Sequence, residues 1–500
     1  METRTLAFIV SACGGELLNG SPSRLAGLAL RVCTDSRQAQ PGDLFFAIKG
    51  DQFDGHDFLN EVAKKGVAAV VVEHTVPPCG IERPACPVIL VEDTRRALGR
   101  LAAAYRNDFV PACGIVAVGG SNKKTTTKDL IAAMLRQKLA TLWSEASFNN
   151  DIGVPLTLLR LEKAHQAAVL EVGTNHPGEL APLVKMIQPR YGVITNIGRE
   201  HLEFFGDVAG VAKEEGWLAE LLPAHGKLFL DGDNEWTDSI ARRTRGPTVR
   251  VGLADANDWR VRSLRLDKQG VTFRVDAPHA EHGGSPREIE SPEAKAARYA
   301  DISRGEYRIH LLGRHQVVNA LFALAVGAEL GLGRAEIQRG LAECEPARMR
   351  LQLWEFSGVR VLDDAYNANA DSMLAALQVL QEFPCKGRRV AVLGDMAELG
   401  AHSQAAHAEV GRRAAELGVG QLFAVGKMAP VMARAAREAG LNRVIELADV
   451  ESAVAALKSF LKTGDVVLLK ASRATRLERI AAALRGQREM EDGRRKMEDA

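Results

Sequence analysis

The sequence predicts an α/β protein of three domains, and three observations carry that prediction. At 500 residues the chain exceeds one ordinary core, since domains run to about 100–200 residues. Short apolar runs alternate with helical spacing in two separate stretches, the order that builds parallel sheets covered by helices. Between them, "GGSNKKTTTKDL" (Gly119 to Leu130) joins an apolar strand to a helix in the manner of a phosphate loop.

Taken in order, residues 1–110 read as a small α/β domain: "GDLFFAIKG", "GVAAVVVE" and "PVILVED" as strands, with a charged helical stretch after the first. The pattern breaks around Tyr105 to Cys113. Residues 111–345 form the central domain, with strand "IVAV", the loop, a helix through "TTTKDLIAAMLRQKL", and the apolar strands "AAVLEVG" and "YGVITNIG" of a buried parallel sheet. Such doubly wound sheets take ligands at the carboxyl ends of their strands. A β-rich part follows ("VRSLRL", "GVTFRV", "YRIHLLG"), interrupted by a polar segment, Asp276 to Arg298, expected to be an exposed insertion. The run "HQVVNALFALAVGAELG" restores helical spacing. Residues 346–500 alternate again, with strands "VRVLDD", "RRVAVLGD", "QLFAVG", "RVIELAD" and "DVVLLKAS", as in a second, separate α/β domain. The charged tail 486–500 is expected to fray.

Composition narrows the function. A net charge of +1, from 64 basic and 63 acidic residues, makes no case for nucleic acid or an anionic membrane surface. The seven cysteines (Cys13, Cys33, Cys79, Cys86, Cys113, Cys344 and Cys385) are widely spaced, with no C-x-x-C pair, so neither a disulfide framework nor a zinc site is indicated. The apolar run Leu6 to Val10 is shorter than an export signal needs. A cytoplasmic protein is expected.

The loop fails the strict phosphate-loop pattern twice, because Val118 and Lys123 occupy its two glycine positions. What remains suits the chemistry. Gly120 permits close backbone approach, Lys124 can reach terminal phosphates, Thr125 can ligate magnesium, and a helix N-terminus faces the anion. An ordinary lysine-rich turn would share these letters. Glu171, His201, Glu214 and Glu215, read as lying at or just beyond strand ends in the same domain, add the oxygen and imidazole groups that a magnesium–nucleotide site uses.

Together the motifs resemble the Mur ligase family, in one order over more than 400 residues: "TDSRQAQPGDLFFAIKGDQFDGHDF", the loop, "NNDIGVPLTLL", "EVGTNHPGEL", "TNIGREHLEFFG", "GRHQVVNAL", "DDAYNANADSM", "LGDMAELG" and "KASR". The resemblance implies a UDP-substrate domain, a central P-loop ATPase domain and a C-terminal Rossmann-like domain that brings the amino substrate and closes over ATP. It implies an ATP- and magnesium-dependent amide ligase, working through an acyl phosphate. "DDAYNAN" points to the branch that joins D-alanyl-D-alanine to UDP-MurNAc-tripeptide; the alternatives are a sister ligase that adds a single amino acid, a folylpolyglutamate-type ligase and a catalytically inactive nucleotide-binding relative. A monomer is implied. Carried over by position, ATP falls to Gly119, Gly120, Ser121, Asn122, Lys123, Lys124, Thr125, Thr126, Asn319, Arg348 and Asp364, and magnesium to Thr125, Glu171, His201 and Glu215. Lys124, His201 and Glu171 carry the catalysis. Substrate falls to Ser36, Arg37, Asn149, Asn150, Asn175, Tyr366, Asn367, Asn369, Lys470, Ser472 and Arg473.

Four departures stand out. Glu215 occupies the position where relatives carry a carbamylated lysine, keeping the charge and losing reach; Lys213, two positions off register, is the alternative candidate for that modification. Lys123 replaces a loop glycine, at a cost of about 1–2 kcal/mol if the backbone there is left-handed. Gln316 stands where asparagine is usual, and Ala471 replaces a glycine.

Overall fold

The computed structural model describes residues 1–18, 22–50, 53–73, 85–278 and 291–486. In the first domain, β2 (Glu16–Leu17), β4 (Arg31–Cys33), β5 (Asp43–Phe46), β6 (Ala69–Glu73) and β7 (Val88–Val91) form a sheet in the order β2-β7-β6-β5-β4, beside a ribbon of β1 (Arg4–Thr5) and β3 (Leu28–Ala29). The Leu6–Cys13 run is a helix, capped by the Thr5 hydroxyl, that buries Leu6, Ile9 and Cys13. Burial pushes the Cys13 thiol up to about 12. Six cysteines are free, and Cys79 lies outside the described residues.

The central sheet has nine strands: β8 (Ile115–Gly119), β9 (Thr141–Trp143), β10 (Ala167–Glu171), β11 (Tyr191–Ile194), β12 (Lys227–Asp231), β13 (Thr248–Gly252), β14 (Trp259–Asp267), β15 (Gly270–Asp276) and β16 (Glu306–Ile309). Their order is β16-β15-β14-β13-β12-β11-β8-β10-β9. The β-rich part is therefore an extension of the parallel sheet, which turns antiparallel only at β15 and β16. β8 pairs with β10 on one side and β11 on the other, so the chain leaves it in both directions and a crevice opens at its carboxyl end. The expected insertion is partly corrected: 279–290 lie outside the described residues, but Pro292–Ser303 is a helix, capped by Ser291 with proline at its first turn.

The third domain holds β17 (Gln352–Phe356), β18 (Val359–Asp363), β19 (Arg389–Gly394), β20 (Gln421–Val425), β21 (Val444–Leu447) and β22 (Val466–Lys470), in the order β17-β18-β22-β19-β20-β21. Only β17 runs antiparallel. The expected fraying at 486–500 falls outside the described residues beyond 486.

The cores do not divide three ways. One continuous apolar cluster runs from Leu6, Phe46 and Val71 through Leu98, Leu101 and Tyr105 of the helix Thr94–Asp108 to Ile115, Leu170 and Leu218. The first two domains are thus welded by that helix. The clusters of the third domain take one residue, Leu312, from the chain before residue 346.

Candidate active site

β8 delivers the chain to Gly120, whose φ is +110° and where a Cβ would fall 2.4 Å from the Thr195 hydroxyl. Only glycine fits there. The next amides are pinned from below: Gly120 N–H donates to Glu215 Oε2 (2.7 Å), Ser121 N–H to the Asn196 carbonyl (2.9 Å) and Asn122 N–H to Asn196 Oδ1 (2.9 Å). Lys123 then turns left-handed, with φ 70° and ψ 0°, and the helix Lys124–Leu135 begins. The conformation explains why phosphate loops place glycine at this point, and Lys123 carries the strain of holding it.

Lys124 folds back over the loop, its Nζ donating to the carbonyls of Gly120 (2.5 Å) and Ser121 (3.3 Å) and lying 3.4 Å from Glu200 Oε2. Burial pulls its pKa down, but Glu200, Glu215 and Glu171 overcome that and hold it above the ordinary lysine value. Glu171, at the end of β10, is buried; its Oε1 accepts from Asn149 Nδ2 (2.8 Å) and its Oε2 has no partner. Glu215 is also buried, with Oε1 unpartnered. Burial pushes its carboxyl up to about 7, against the pull of Lys124.

The third domain reaches into the same place. Arg350 donates from Nη2 to the Thr125 hydroxyl (2.9 Å) and stacks its guanidinium 4.3 Å from the ring centre of Tyr366, whose hydroxyl meets Ser147. Asn369 caps the helix Ala370–Glu382 and donates from Nδ2 to Asn122 Oδ1 (2.8 Å). Lys470 is buried, bonded to Asp364 Oδ2 (2.5 Å) and the Asn367 carbonyl (3.1 Å). Between the domains lies a cleft of about 1320 Å³, lined by all three. At one end Asn319 donates to Gln316 Oε1 (2.7 Å), which leaves its buried Oδ1 unpartnered.

Of the residues expected from the sequence, Ser121 to Thr126, Glu171, His201, Asn149, Asn150, Asn175, Asn319, Asp364, Tyr366, Asn367, Asn369 and Lys470 line this cleft. Gly119, Gly120 and Glu215 lie beneath the loop and do not line it. Ser36 and Arg37 sit apart, in a turn capped by Asp35, where Arg37 forks onto Asp35. Arg348 is exposed and outside the cleft, because the left-handed Met349 and Leu351 turn Arg350 toward the loop instead. Ser472 is buried against the Asp395 carbonyl (2.7 Å), and Arg473 opens an exposed turn beside Glu478. Two strand-end readings are corrected. β11 stops at Ile194, so His201 begins a later short helix, and Glu214 and Glu215 lie on the helix Val208–Glu215.

His201 turns its Nδ1 to Glu398 of the third domain. Among the described residues no three His, Cys, Asp or Glu side chains stand close enough to hold a metal ion. The unpartnered oxygens of Glu171 and Glu215, both coupled to Lys124, are nevertheless hard donors of the kind magnesium takes. The oxygen donors fit the ion and His201, in this arrangement, does not.

Comparison with known proteins fixes the family. Three family models match in order: the Mur ligase family catalytic domain over residues 31–106, the Mur ligase middle domain over 118–327, and the Mur ligase glutamate ligase domain over 349–473. The chain belongs to the Mur ligase family. A relative of this Mur ligase in Escherichia coli, UDP-N-acetylmuramoyl-tripeptide–D-alanyl-D-alanine ligase, is 36% identical over 494 residues, covering 97% of this chain and 99% of the relative. The crystal structure of MurF from Acinetobacter baumannii superposes with a TM-score of 0.82 at 30% identity, covering 97% and 99% of the two chains. MurF ligase from Thermotoga maritima in complex with ADP superposes with a TM-score of 0.75 at 26% identity, covering 92% and 98%.

Sequence reasoning missed Arg350, Glu200, Arg199 and Glu398. Arg350 shares "PARMR" with Arg348, and only the backbone turn separates their roles. Glu200 and Arg199 lie inside the quoted "GREH", and Glu398 inside "LGDMAELG", with no periodicity or spacing to mark them.

Proposed function

We propose that this Mur ligase joins D-alanyl-D-alanine to UDP-MurNAc-tripeptide at the expense of ATP. The observation that carries the reading is the convergence of Lys124 and Glu171 from the central domain with Arg350, Asn367, Asn369 and Lys470 from the third in one cleft. An amide ligation driven by phosphoryl transfer needs these two sets together: one for the triphosphate, one for the amine.

In this reading the peptide's terminal carboxylate oxygen attacks the γ-phosphorus of ATP, the bond to the β-phosphate oxygen breaks, and ADP leaves. The dipeptide's neutral amine then attacks the acyl carbon, loses a proton, and phosphate departs. Lys124, held cationic by its three glutamates, neutralises charge on the transferred phosphoryl once it leaves the loop carbonyls. The Asn319 Oδ1 is an acceptor for the exocyclic amine of adenine. Tyr366, Asn367, Asn369 and Lys470, which line the same cleft, are the groups that take the dipeptide in this reading, and Asp364 serves ATP. Thr125, Glu171 and Glu215 would hold magnesium, which supplies charge neutralisation at the phosphates when bound. Domain limits of 1–110, 111–345 and 346–500, a monomer and a cytoplasmic location belong to the same proposal. No helix among the described residues is long and apolar enough to cross a membrane.

The test is phosphate release from ATP and magnesium with UDP-MurNAc-tripeptide. Release is expected with D-alanyl-D-alanine and only background with D-alanine, L-lysine or L-glutamate. Release with a single amino acid in place of the dipeptide would move the chain to a sister branch, and nucleotide binding without release would make it an inactive relative.

A further inference from the structure

Arg199 lies in the loop after β11, next to Glu200 and two residues before His201. Its peptide N–H donates to Asp371 Oδ2 (2.8 Å) and its Nε to Asp371 Oδ1 (2.7 Å). From the same guanidinium, Nη1 donates to Glu409 Oε2 (2.6 Å) and Nη2 to Glu409 Oε1 (3.4 Å). Asp371 stands in the first turn of the helix Ala370–Glu382 and Glu409 on the helix Ser403–Glu416, so one side chain of the central domain ties down two helices of the third. The approach depends on Gly198, where a Cβ would fall 2.6 Å from Asp371 Oδ2.

The rest of that junction is also polar. Glu203 N–H donates to the Glu398 carbonyl (3.0 Å), His402 Nε2 meets the Gly206 carbonyl (2.9 Å), and Asn369, two residues from Asp371, reaches Asn122 in the loop. Among the described buried residues Leu312 is the one apolar side chain shared across it, so this interface has little hydrophobic adhesion. Its geometry rests on directional bonds, and the planar fork of Arg199 makes four of them with its own peptide N–H included.

We propose that Arg199 is a positioning residue that holds the third domain closed over the ATP loop. Only the kinetic part of its test rests on the ligase reading. Closure brings Arg350 to Thr125 and Asn369 to Asn122, so loss of the clamp weakens ATP capture. It leaves the first two domains, welded by their common core, to bind the UDP-substrate as before. Because the pairs are partly exposed, salt competes with them.

The full-length wild type, Arg199→Ala and Arg199→Lys are compared by small-angle X-ray scattering and by steady-state kinetics, with circular dichroism to verify folding. Arg199→Ala is expected to show a larger radius of gyration at low salt, one the wild type approaches in about 0.5 M NaCl. Its KM for ATP rises about tenfold while the KM for UDP-MurNAc-tripeptide stays within twofold, and the lysine variant recovers part of the loss. Should Arg199→Ala misfold, Glu409→Gln gives a smaller change in the same direction. An unchanged radius with an unchanged KM for ATP overturns the proposal, as does an equal rise in both KM values. A wild type without ligase activity refutes the functional reading alone, and the scattering still decides the clamp.

Discussion

Replacing Glu215 by glutamine separates the charge of this buried carboxylate from its hydrogen bond. The amide oxygen can still accept from Gly120 N–H, so the loop keeps its anchor. Burial pushes the Glu215 carboxyl up to about 7, whereas the unfolded chain ionises it near the ordinary ~4.3. Between those values the folded state holds a proton that the unfolded state has released. Stability contributed by this group is therefore full below about pH 4.3 and lost as pH rises through about 7. A tenfold difference in proton affinity is worth about 1.4 kcal/mol, so the wild type loses about 4 kcal/mol across the window, about two-thirds of it between pH 5 and pH 8. Glutamine does not titrate. The gap in melting temperature between Glu215→Gln and wild type, followed by differential scanning fluorimetry without metal or nucleotide, should widen by roughly 3–5 °C from pH 5 to pH 8 in favour of the variant. Any fixed penalty of the amide moves both ends equally, so the slope is the readout. A gap that stays flat, or that widens toward low pH, refutes the reasoning.

Two further outcomes follow from the loop. Arg350→Ala should raise the KM for ATP by roughly tenfold or more, as expected for a charge-assisted hydrogen bond worth about 1.5–3 kcal/mol, while Arg348→Ala stays within twofold; equal effects in a phosphate-release titration would contradict the turn at Met349. Lys123→Gly relieves about 1–2 kcal/mol of left-handed strain and gives back about 0.5–1 kcal/mol to unfolded-state entropy, so the melting temperature should rise by a degree or two. The same variant removes a cation from the cleft and should raise the KM for ATP several-fold; an unchanged or lower value would mean that Lys123 is only tolerated.

Features that depend on a short stretch of chain were legible in the sequence. Gly120, Lys124 and Thr125 follow from a strand–loop–helix order, and Glu171 from its place at the end of an apolar run. Features that depend on two distant stretches were not. Arg350 and Arg348 carry the same chemistry two positions apart, and left-handed residues on either side of Arg350 decide which one reaches Thr125. His201 was expected among magnesium ligands, yet its imidazole meets Glu398, 197 positions away. The three-residue β9, the mostly half-buried β13 and the edge strand β17 left too little apolar pattern to register, whereas β10 and β22, five buried residues each, did.

The apolar cluster that runs through the helix Thr94–Asp108 has a consequence for how the molecule can be divided. By topology there are three large sheets and a two-stranded ribbon among the described residues, but by adhesion there are two parts. A cut near residue 110 would expose Leu98, Leu101 and Tyr105 on one fragment and their partners on the other, and neither piece would be fit for water. A cut near residue 346 would sever mostly hydrogen bonds and ion pairs, which water replaces at small cost. Chain breaks, insertions and exchanges of whole segments between relatives are therefore expected to be tolerated better at the second boundary than at the first.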